Sequence, residues 1–178
     1  MLLEKNLQYF KLKKIILVFF ILLSKPLLAS ELITCFTPGE NCTDLIVKQI
    51  NQAKTSVYVQ AYGLTSKPII EAIANAKSRG LEIKMILDKV NETKQGDGAR
   101  YLTAKDIEIL IDSKVAIAHN KVMVIDGKNI ITGSFNFTKS AQDRNAENVL
   151  IILDDPTVAK KYIANWEKRA AVSRNIKE

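Results

Sequence analysis

The stretch from residue 118 to residue 138, which reads AHNKVMVIDGKNIITGSFNFT, constrains this chain more than any other. Two short, apolar, β-branched segments, 121–126 and 129–134, flank an Asp-Gly pair, and this pattern predicts a β-hairpin. Polar residues lie within and beside both segments. Among them is His119, the only histidine of the 178 residues.

The alternation of side chains along a strand predicts which of these polar groups meet. Side chains two apart share a face, so His119 and Lys121 point the same way, as do Ser134 and Asn136. A two-residue loop at 127–128 pairs Lys121 with Ser134, and it pairs His119 with Asn136. A two-residue loop one position earlier keeps all four on one face, whereas a loop of odd length breaks the convergence. The imidazole can attack or move protons, and the other three groups can hold the oxygens of an anion.

The complete spacing, His-x-Lys-x4-Asp-x6-Gly-Ser-x-Asn, resembles the signature of the phospholipase D superfamily, and every position is matched. Residues 44–88 and 145–153 resemble the parts of that domain before and after the signature. The resemblance therefore covers nearly all of the chain after residue 31, and it implies a phosphodiesterase. Asp126 belongs to the signature, but its opposite parity in the hairpin predicts a structural role, such as binding turn amides or a nearby cation.

The resemblance also implies roles for the polar residues. His119 attacks phosphorus, Lys121 and Asn136 bind the phosphoryl oxygens, and Ser134 assists in that pocket. No metal and no cofactor is implied, because Lys121 takes the place of a cation. The candidate catalytic residues are six: His119, Lys121, Asp126, Ser134, Asn136 and Glu147.

Glu147 matches the later acidic residue of the family, which implies that it orients His119 through the other ring nitrogen. The alternative for Glu147 is a surface ion pair with the nearby Arg144.

Phosphodiester cleavage also needs a second proton-carrying group for the leaving oxygen, and the chain has no second histidine. We therefore expect a homodimer in which a twofold axis brings two copies of His119 to one shared phosphate. The resemblance implies the same arrangement, because short single-motif relatives dimerise. It also implies a covalent phosphohistidine that water hydrolyses.

The first 30 residues have the pattern of a secretory signal peptide. A basic segment precedes nine apolar residues at 15–23, and small residues follow at Ala29 and Ser30. A retained membrane anchor is the alternative, although spanning a bilayer takes roughly 20 apolar residues. Residues 31–178 then have the length of one domain.

Three Asn-x-Thr sequons, at Asn41, Asn91 and Asn136, favour a bacterial export route over a eukaryotic secretory one, because a glycan on Asn136 would block the proposed site. We therefore expect a secreted or periplasmic bacterial protein.

Apolar periodicity after residue 31 alternates between strands and helices. Helices are predicted to begin near Asn41 or Thr43, near Ser66, and near Asp154 or Asp155. Residues 91–100 are polar and glycine-containing, and they predict a surface loop. Together these patterns predict an α/β domain with helices on both faces of a mixed sheet, the α/β/α sandwich that the resemblance implies. Strands are predicted at 32–36, 56–62, 81–88, 106–111, 114–118, the hairpin and 147–153.

Cys35 and Cys42 are the only cysteines. In an exported protein, a pair this close predicts a disulfide, worth about 2.5 kcal/mol through loop entropy. A structural zinc site is disfavoured, because two thiols and one histidine, which the phosphate site needs, fall short of four ligands.

The substrate class stays open at this level. The whole chain has a net charge of +7, but five lysines and one glutamate lie in the first 30 residues, which leaves about +3 for 31–178. This mild basicity suits a phosphate-bearing partner. The leading hypothesis is hydrolysis of phosphatidylcholine-like phospholipids, which the resemblance to short secreted bacterial phospholipases D favours. The alternative is a non-specific endonuclease. A non-catalytic phosphate-binding module is disfavoured, because His119, Lys121 and Asn136 are all present.

Overall fold

The computed structural model describes residues 30–93 and 96–177. The predicted signal peptide thus lies outside the described residues, apart from Ser30. The strands are β1 (Glu31–Thr37), β2 (Ser56–Ala61), β3 (Glu82–Asp88), β4 (Ile109–Asp112), β5 (Lys121–Ile125), β6 (Asn129–Gly133), β7 (Glu147–Leu153) and β8 (Arg174–Asn175). The α-helices are α1 (Cys42–Gln52), α2 (Lys67–Ser78), α3 (Asp97–Thr103), α4 (Lys139–Asp143) and α5 (Pro156–Ala170), and a 3₁₀ turn spans Lys89–Glu92.

The described strands form one mixed sheet in the order β1-β7-β6-β5-β2-β3-β4-β8. β2, β3 and β4 are parallel, because α2 and then the 3₁₀ turn with α3 return the chain to the same end of the sheet each time. The hairpin strands β5 and β6, and then β7 and β1, continue the sheet with antiparallel pairing. The predicted mixed sheet is confirmed.

Helices cover both faces of this sheet. On one face, α1 and α2 bury Ile46, Ile50 and Ile73 against the strands, in the larger apolar core. On the other face, α5 packs through Ala159 against a smaller cluster that includes Val124 of β5. The predicted α/β/α sandwich is therefore confirmed.

Local signals fixed most of the boundaries. Asn41 caps α1 by accepting the amide of Asp44 at 3.1 Å, and Asp155 caps α5. Trp166 is buried in α5 as predicted, and its indole N–H donates to the Val59 carbonyl at 2.9 Å. No described helix is both long and apolar enough to span a membrane.

The predicted disulfide is present. Cys35 of β1 is bonded to Cys42, the first residue of α1, with Cα atoms 5.6 Å apart. Both side chains are buried in the larger core, so the bond fastens an edge strand to the helix that follows it.

Two sequence predictions about connections are wrong. Residues 114–118 form no strand; from 113 to 117 the chain is exposed and irregular between β4 and β5. The segment 91–100 is not a plain loop, because it contains the end of the 3₁₀ turn and the first half of α3. In both cases the periodicity was too short to separate a strand from an irregular segment, or a short helix from a loop.

Candidate active site

The hairpin turn differs from the prediction. Ile125 pairs with Asn129, so the connection has three residues and an odd length. Asp126 and Gly127 both have positive φ, 54° and 63°, as in a type I′ turn, and the Lys128 amide donates to the Ile125 carbonyl at 3.1 Å. The predicted pairing of Lys121 with Ser134, and of His119 with Asn136, is therefore wrong.

A bulge after β6 offsets this shift. The amides of Ser134 and Phe135 both donate to the Asn148 carbonyl, at 3.1 and 3.3 Å, so two residues face one. Gly133 permits the bend, because its φ is 144° and a Cβ there would lie 2.2 Å from the Asn148 oxygen. The bulge changes the parity of the residues that follow, so the odd loop does not carry Asn136 to the opposite face.

Most of the predicted site lies along one edge of the sheet, meaning the row of strand ends where β2 and β6 end and β5 and β7 begin. His119 precedes β5, Ser134 follows β6, and Glu147 begins β7. The three strands are neighbours, and the antiparallel pairing brings these ends together. Asp126 is at the other end of β5, about 17 Å from Lys121 along the strand.

His119 lies in an irregular segment just before β5, not in a strand, and it is exposed. Its ring meets the ring of Tyr62 edge to face, with centroids 4.8 Å apart. Tyr62 directly follows β2 and its amide donates to the Asn120 carbonyl at 2.9 Å. The imidazole is thus held against an aromatic wall while its edge faces solvent.

Lys121 lies beneath this pair and is only 7% exposed. Its Nζ donates to the His119 carbonyl at 2.8 Å and lies 5.3 Å from the centre of the Tyr62 ring. Burial lowers the pKa of Lys121, and the negative charge of Glu147 opposes that effect. An ammonium in this position gains most from an anion placed next to it.

Glu147 is bonded differently from the expected role. Its carboxylate accepts the Ser134 hydroxyl at 2.5 Å and the Asn145 amide group at 2.9 Å. The Ser134 oxygen in turn accepts the Asn148 amide at 3.0 Å. Within the described chain, Glu147 bonds to these groups and not to His119, and the Ser134 proton is already committed to the carboxylate.

Asn136 carries an unused polar atom. Its side-chain oxygen is buried and has no hydrogen-bond partner among the described residues. The next residue, Phe137, is fully packed in the core, and its carbonyl accepts the amides of Thr65 and Ser66 at 2.9 Å. These bonds fix the backbone next to Asn136, and a 180° rotation about the terminal bond of its side chain presents the NH₂ in place of the unpaired oxygen.

Asp126 stabilises a neighbouring loop through hydrogen bonds and does not face the other candidate residues. Its carboxylate accepts the amides of Lys54, Thr55 and Ser56 at 2.8 to 3.1 Å, together with the Thr55 hydroxyl. Burial raises the pKa of Asp126, but these bonds outweigh it and leave the pKa below its ordinary value. The structure thus places Asp126 apart from the other five candidates, binding amides of the loop before β2 instead of those of its own turn.

Sequence reasoning missed Tyr62 as a site residue. The available signal was its position at the carboxyl end of a parallel strand, the edge at which ligands bind in open α/β sheets. Beside this edge, a cavity of about 350 Å³ is lined by Thr65, Lys67, Ile70, Glu71, Asp97, Gly98 and Tyr101.

Comparison with known proteins agrees with this geometry. Residues 46–170 match the family model described as "Cardiolipin synthase, PLD-like domain". The chain is 46% identical over 145 residues to a phospholipase D of Rickettsia felis, which is 82% of this chain and 72% of the relative. It is 28% identical over 135 residues to the mitochondrial cardiolipin hydrolase of Canis lupus familiaris, covering 75% of this chain and 53% of that protein.

Solved structures give the same result. Nuc from Salmonella typhimurium, a phospholipase D family member, superimposes with a TM-score of 0.78 at 32% identity, covering 82% of this chain and 97% of Nuc. NucT from Helicobacter pylori shares the fold, with a TM-score of 0.75 at 23% identity over 82% of this chain and 99% of NucT.

An exposed imidazole and a buried ammonium lie side by side at this edge of the fold, and the comparisons identify the class as a phosphodiester hydrolase. The chain belongs to the phospholipase D superfamily.

Proposed function

We propose that this chain is an exported phosphodiesterase that hydrolyses phosphatidylcholine-like phospholipids to phosphatidate and the head-group alcohol. The observation that carries the chemistry is the placement of His119 and Lys121 against Tyr62 at one sheet edge. The observation that carries the lipid substrate is the 46% identity to a phospholipase D over four fifths of the chain.

In the proposed reaction, neutral His119 attacks phosphorus. A nitrogen–phosphorus bond forms as the bond to the leaving oxygen breaks, and that oxygen takes a proton from a second, protonated imidazole. Water then gives a proton to that imidazole, now neutral, attacks phosphorus and breaks the nitrogen–phosphorus bond, which releases His119. Lys121 and the Asn136 amide hold the phosphoryl oxygens and stabilise their growing charge.

The second proton carrier is the His119 of a second copy. Because His119 is exposed and belongs to the edge of the sheet, a twofold axis at this edge can bring two imidazoles to one phosphate. In such a dimer, we propose that Glu147 of one copy orients the His119 imidazole of the other copy across the interface.

The exposed apolar residues beside His119 support a lipid substrate. Val115 and Ile117 are 36% and 57% exposed in the segment leading to His119. Apolar groups at the rim of a site suit contact with a lipid surface better than contact with a polyanion.

Nucleic acid is the second candidate. The attacking and anion-binding groups serve any phosphodiester, and the charge of about +3 for 31–178 suits a polyanion as well. The 32% identity to Nuc over 82% of the chain supports keeping this candidate.

The substrate class is tested by assaying one preparation of the protein on both a lipid and a nucleic acid. The full-length protein is incubated with phosphatidylcholine vesicles and, separately, with plasmid DNA, both in EDTA and at 50 and 200 mM salt. Choline release without DNA nicking supports the proposal. Nicking without choline release, with a steep loss at the higher salt through counterion competition, establishes the nuclease instead.

Export is a separate part of the proposal. The basic and apolar residues of 1–30 support it. Expression in a bacterium with an export pathway, followed by mass spectrometry of the secreted or periplasmic protein, tests it: a start near residue 31 is expected, and an uncut protein retained in the membrane contradicts cleavage.

A further inference from the structure

Two buried polar residues that the motif does not include lie behind His119. Asp88 is the last residue of β3 and Asn91 lies in the 3₁₀ turn that follows it. They are 3% and 1% exposed. Buried polar groups are costly unless they are bonded, so their partners indicate what they do.

Asp88 ties together two distant parts of the chain. One carboxylate oxygen accepts the Val90 amide at 2.9 Å and caps the turn. The other accepts the Ala118 amide at 2.7 Å, thirty residues later. Ala118 directly precedes His119 and ends the exposed, irregular segment 113–117, so this bond fixes the backbone at the point where the chain enters the site.

Asn91 bonds to the backbone of Tyr62, the residue whose ring contacts the imidazole. Its amide group donates to the Tyr62 carbonyl at 2.7 Å and to the Asp88 carbonyl at 3.0 Å. Tyr62 supplies the ring that contacts His119, and its own amide is bonded to the Asn120 carbonyl. The same turn therefore positions both the backbone before His119 and the aromatic wall beside it.

We propose that Asp88 and Asn91 are positioning residues that set the direction of the His119 imidazole for in-line attack. The inference rests on the proposed role of His119 as the nucleophile. His119 is exposed and its ring makes no hydrogen bond within the described residues, so its direction depends on its backbone and on Tyr62. Neither Asp88 nor Asn91 touches the substrate; both act through residues 118 and 62.

A capped turn alone does not account for this arrangement. One carboxylate oxygen, or a serine hydroxyl, suffices to cap Val90. The second oxygen of Asp88 is directed instead to the residue before His119. A displacement of about 1 Å at a reacting group costs on the order of 100-fold in rate, so a bond at this point has a large effect on turnover.

The test uses Asp88→Asn in the full-length protein, purified without a histidine tag. Asparagine keeps the shape and one acceptor oxygen, which can serve Val90 or Ala118 but not both. Asn91→Ala is the second variant, because it releases Tyr62 and leaves Asp88 in place. The matched control is Asp155→Ala, which removes a carboxylate that caps α5 at the opposite end of the sheet, at a cost of about 1 kcal/mol.

Three quantities are measured for each variant: Tm, the kcat and KM for bis(4-nitrophenyl) phosphate, and the NMR signals of the single imidazole. We expect Asp88→Asn and Asn91→Ala to lower kcat by about 10- to 100-fold with KM within about twofold, and to shift or broaden the His119 signals. Asp155→Ala is expected to lower Tm while keeping the wild-type kcat and signals.

The inference is overturned by an unchanged His119 signal, or by losses of rate no larger than that of Asp155→Ala at equal Tm. If Asp88→Asn does not fold, Asn91→Ala decides alone. Failure of the proposed function has a different signature: the wild type then shows no hydrolysis that depends on His119, while the NMR signals still report whether Asp88 and Asn91 position the ring.

Discussion

Asp126→Asn is predicted to destabilise the protein, although the residue belongs to the catalytic signature. In the structure its carboxylate accepts three backbone amides and one hydroxyl from the loop before β2. Asparagine is nearly isosteric and tolerates the positive φ of 54° at this position. The substitution therefore removes the charge and leaves the turn itself intact.

The magnitude follows from the bonds. A hydrogen bond to a charged group contributes about 1.5–3 kcal/mol, against about 1 kcal/mol for a neutral one. Most of the bonds end on one oxygen, which asparagine retains, so each loses only its charge assistance. Lys54 and Thr55 are exposed, and water competes for their amides. We expect a loss of about 2 kcal/mol in the free energy of unfolding, or about 4–8 °C in Tm.

Urea denaturation measures this directly, because the single tryptophan, Trp166, is buried and reports unfolding by fluorescence. Asp154→Asn is the matched control. Asp154 also has positive φ, at 53°, but it is exposed and pairs with Lys128 at the surface. Its loss is expected to cost less than about 1 kcal/mol.

The effect also depends on pH in a stated direction. The pKa of Asp126 in the folded chain lies below its ordinary value of 3.8. Its stabilisation is therefore complete above about pH 4 and is lost as the pH falls through the folded pKa. The difference between wild type and Asp126→Asn should shrink below pH 4. Equal midpoints for Asp126→Asn and Asp154→Asn at pH 7, or a difference unchanged at pH 3, would refute the reasoning.

Three further predictions concern the disulfide, the buried lysine and the apolar rim. The double variant Cys35→Ser, Cys42→Ser should lose about 2.5 kcal/mol in the free energy of urea unfolding. A reductant should lower the stability of the wild type and leave that of the double variant unchanged. Equal stability of the two proteins contradicts the disulfide account. Because burial lowers the pKa of Lys121 from 10.5, the rate of hydrolysis of bis(4-nitrophenyl) phosphate should fall with rising pH before pH 10.5. Lys121→Arg should move this alkaline fall in the pH–rate profile to higher pH. An alkaline fall at the same pH in both proteins counts against a charged Lys121. Ile117→Ser should lower turnover of phosphatidylcholine vesicles by about 10-fold, since about 1.5–3 kcal/mol of apolar contact is removed, and should leave the hydrolysis of bis(4-nitrophenyl) phosphate unaffected. An equal loss on both substrates would assign Ile117 to the active site. A loss of dimer in sedimentation would assign it to an interface between copies.

The secondary structure between β1 and β3, and the elements β7 and α5, follow from local signals. Capping residues and apolar periodicity locate the starts of α1, α2 and α5 to within a few residues. The strand β7 coincides with the predicted 147–153. These elements are predictable because their information lies within each segment.

The details of the site depend on contacts between distant residues and were harder to predict. The hairpin turn has three residues instead of the predicted two, and the bulge at Ser134 that offsets this difference depends on Asn148 across the sheet. Residues 114–118 looked like a strand, yet they pair with no neighbour and are held at their end by Asp88. The hairpin brings His119 and Ser134 to one edge of the sheet whatever the turn length, whereas the face that each side chain occupies depends on both the turn and the bulge.

The central claim is that His119 is the nucleophile of a phosphodiesterase. Its most direct test is the EDTA-resistant hydrolysis of bis(4-nitrophenyl) phosphate by the full-length wild type and by His119→Ala, each shown to be folded by its Trp166 fluorescence. The account predicts a loss of at least about 10³-fold in kcat for the variant, because the substitution removes the nitrogen that attacks phosphorus. A folded His119→Ala that keeps a rate within about tenfold of the wild type would contradict the mechanism and every role assigned around it.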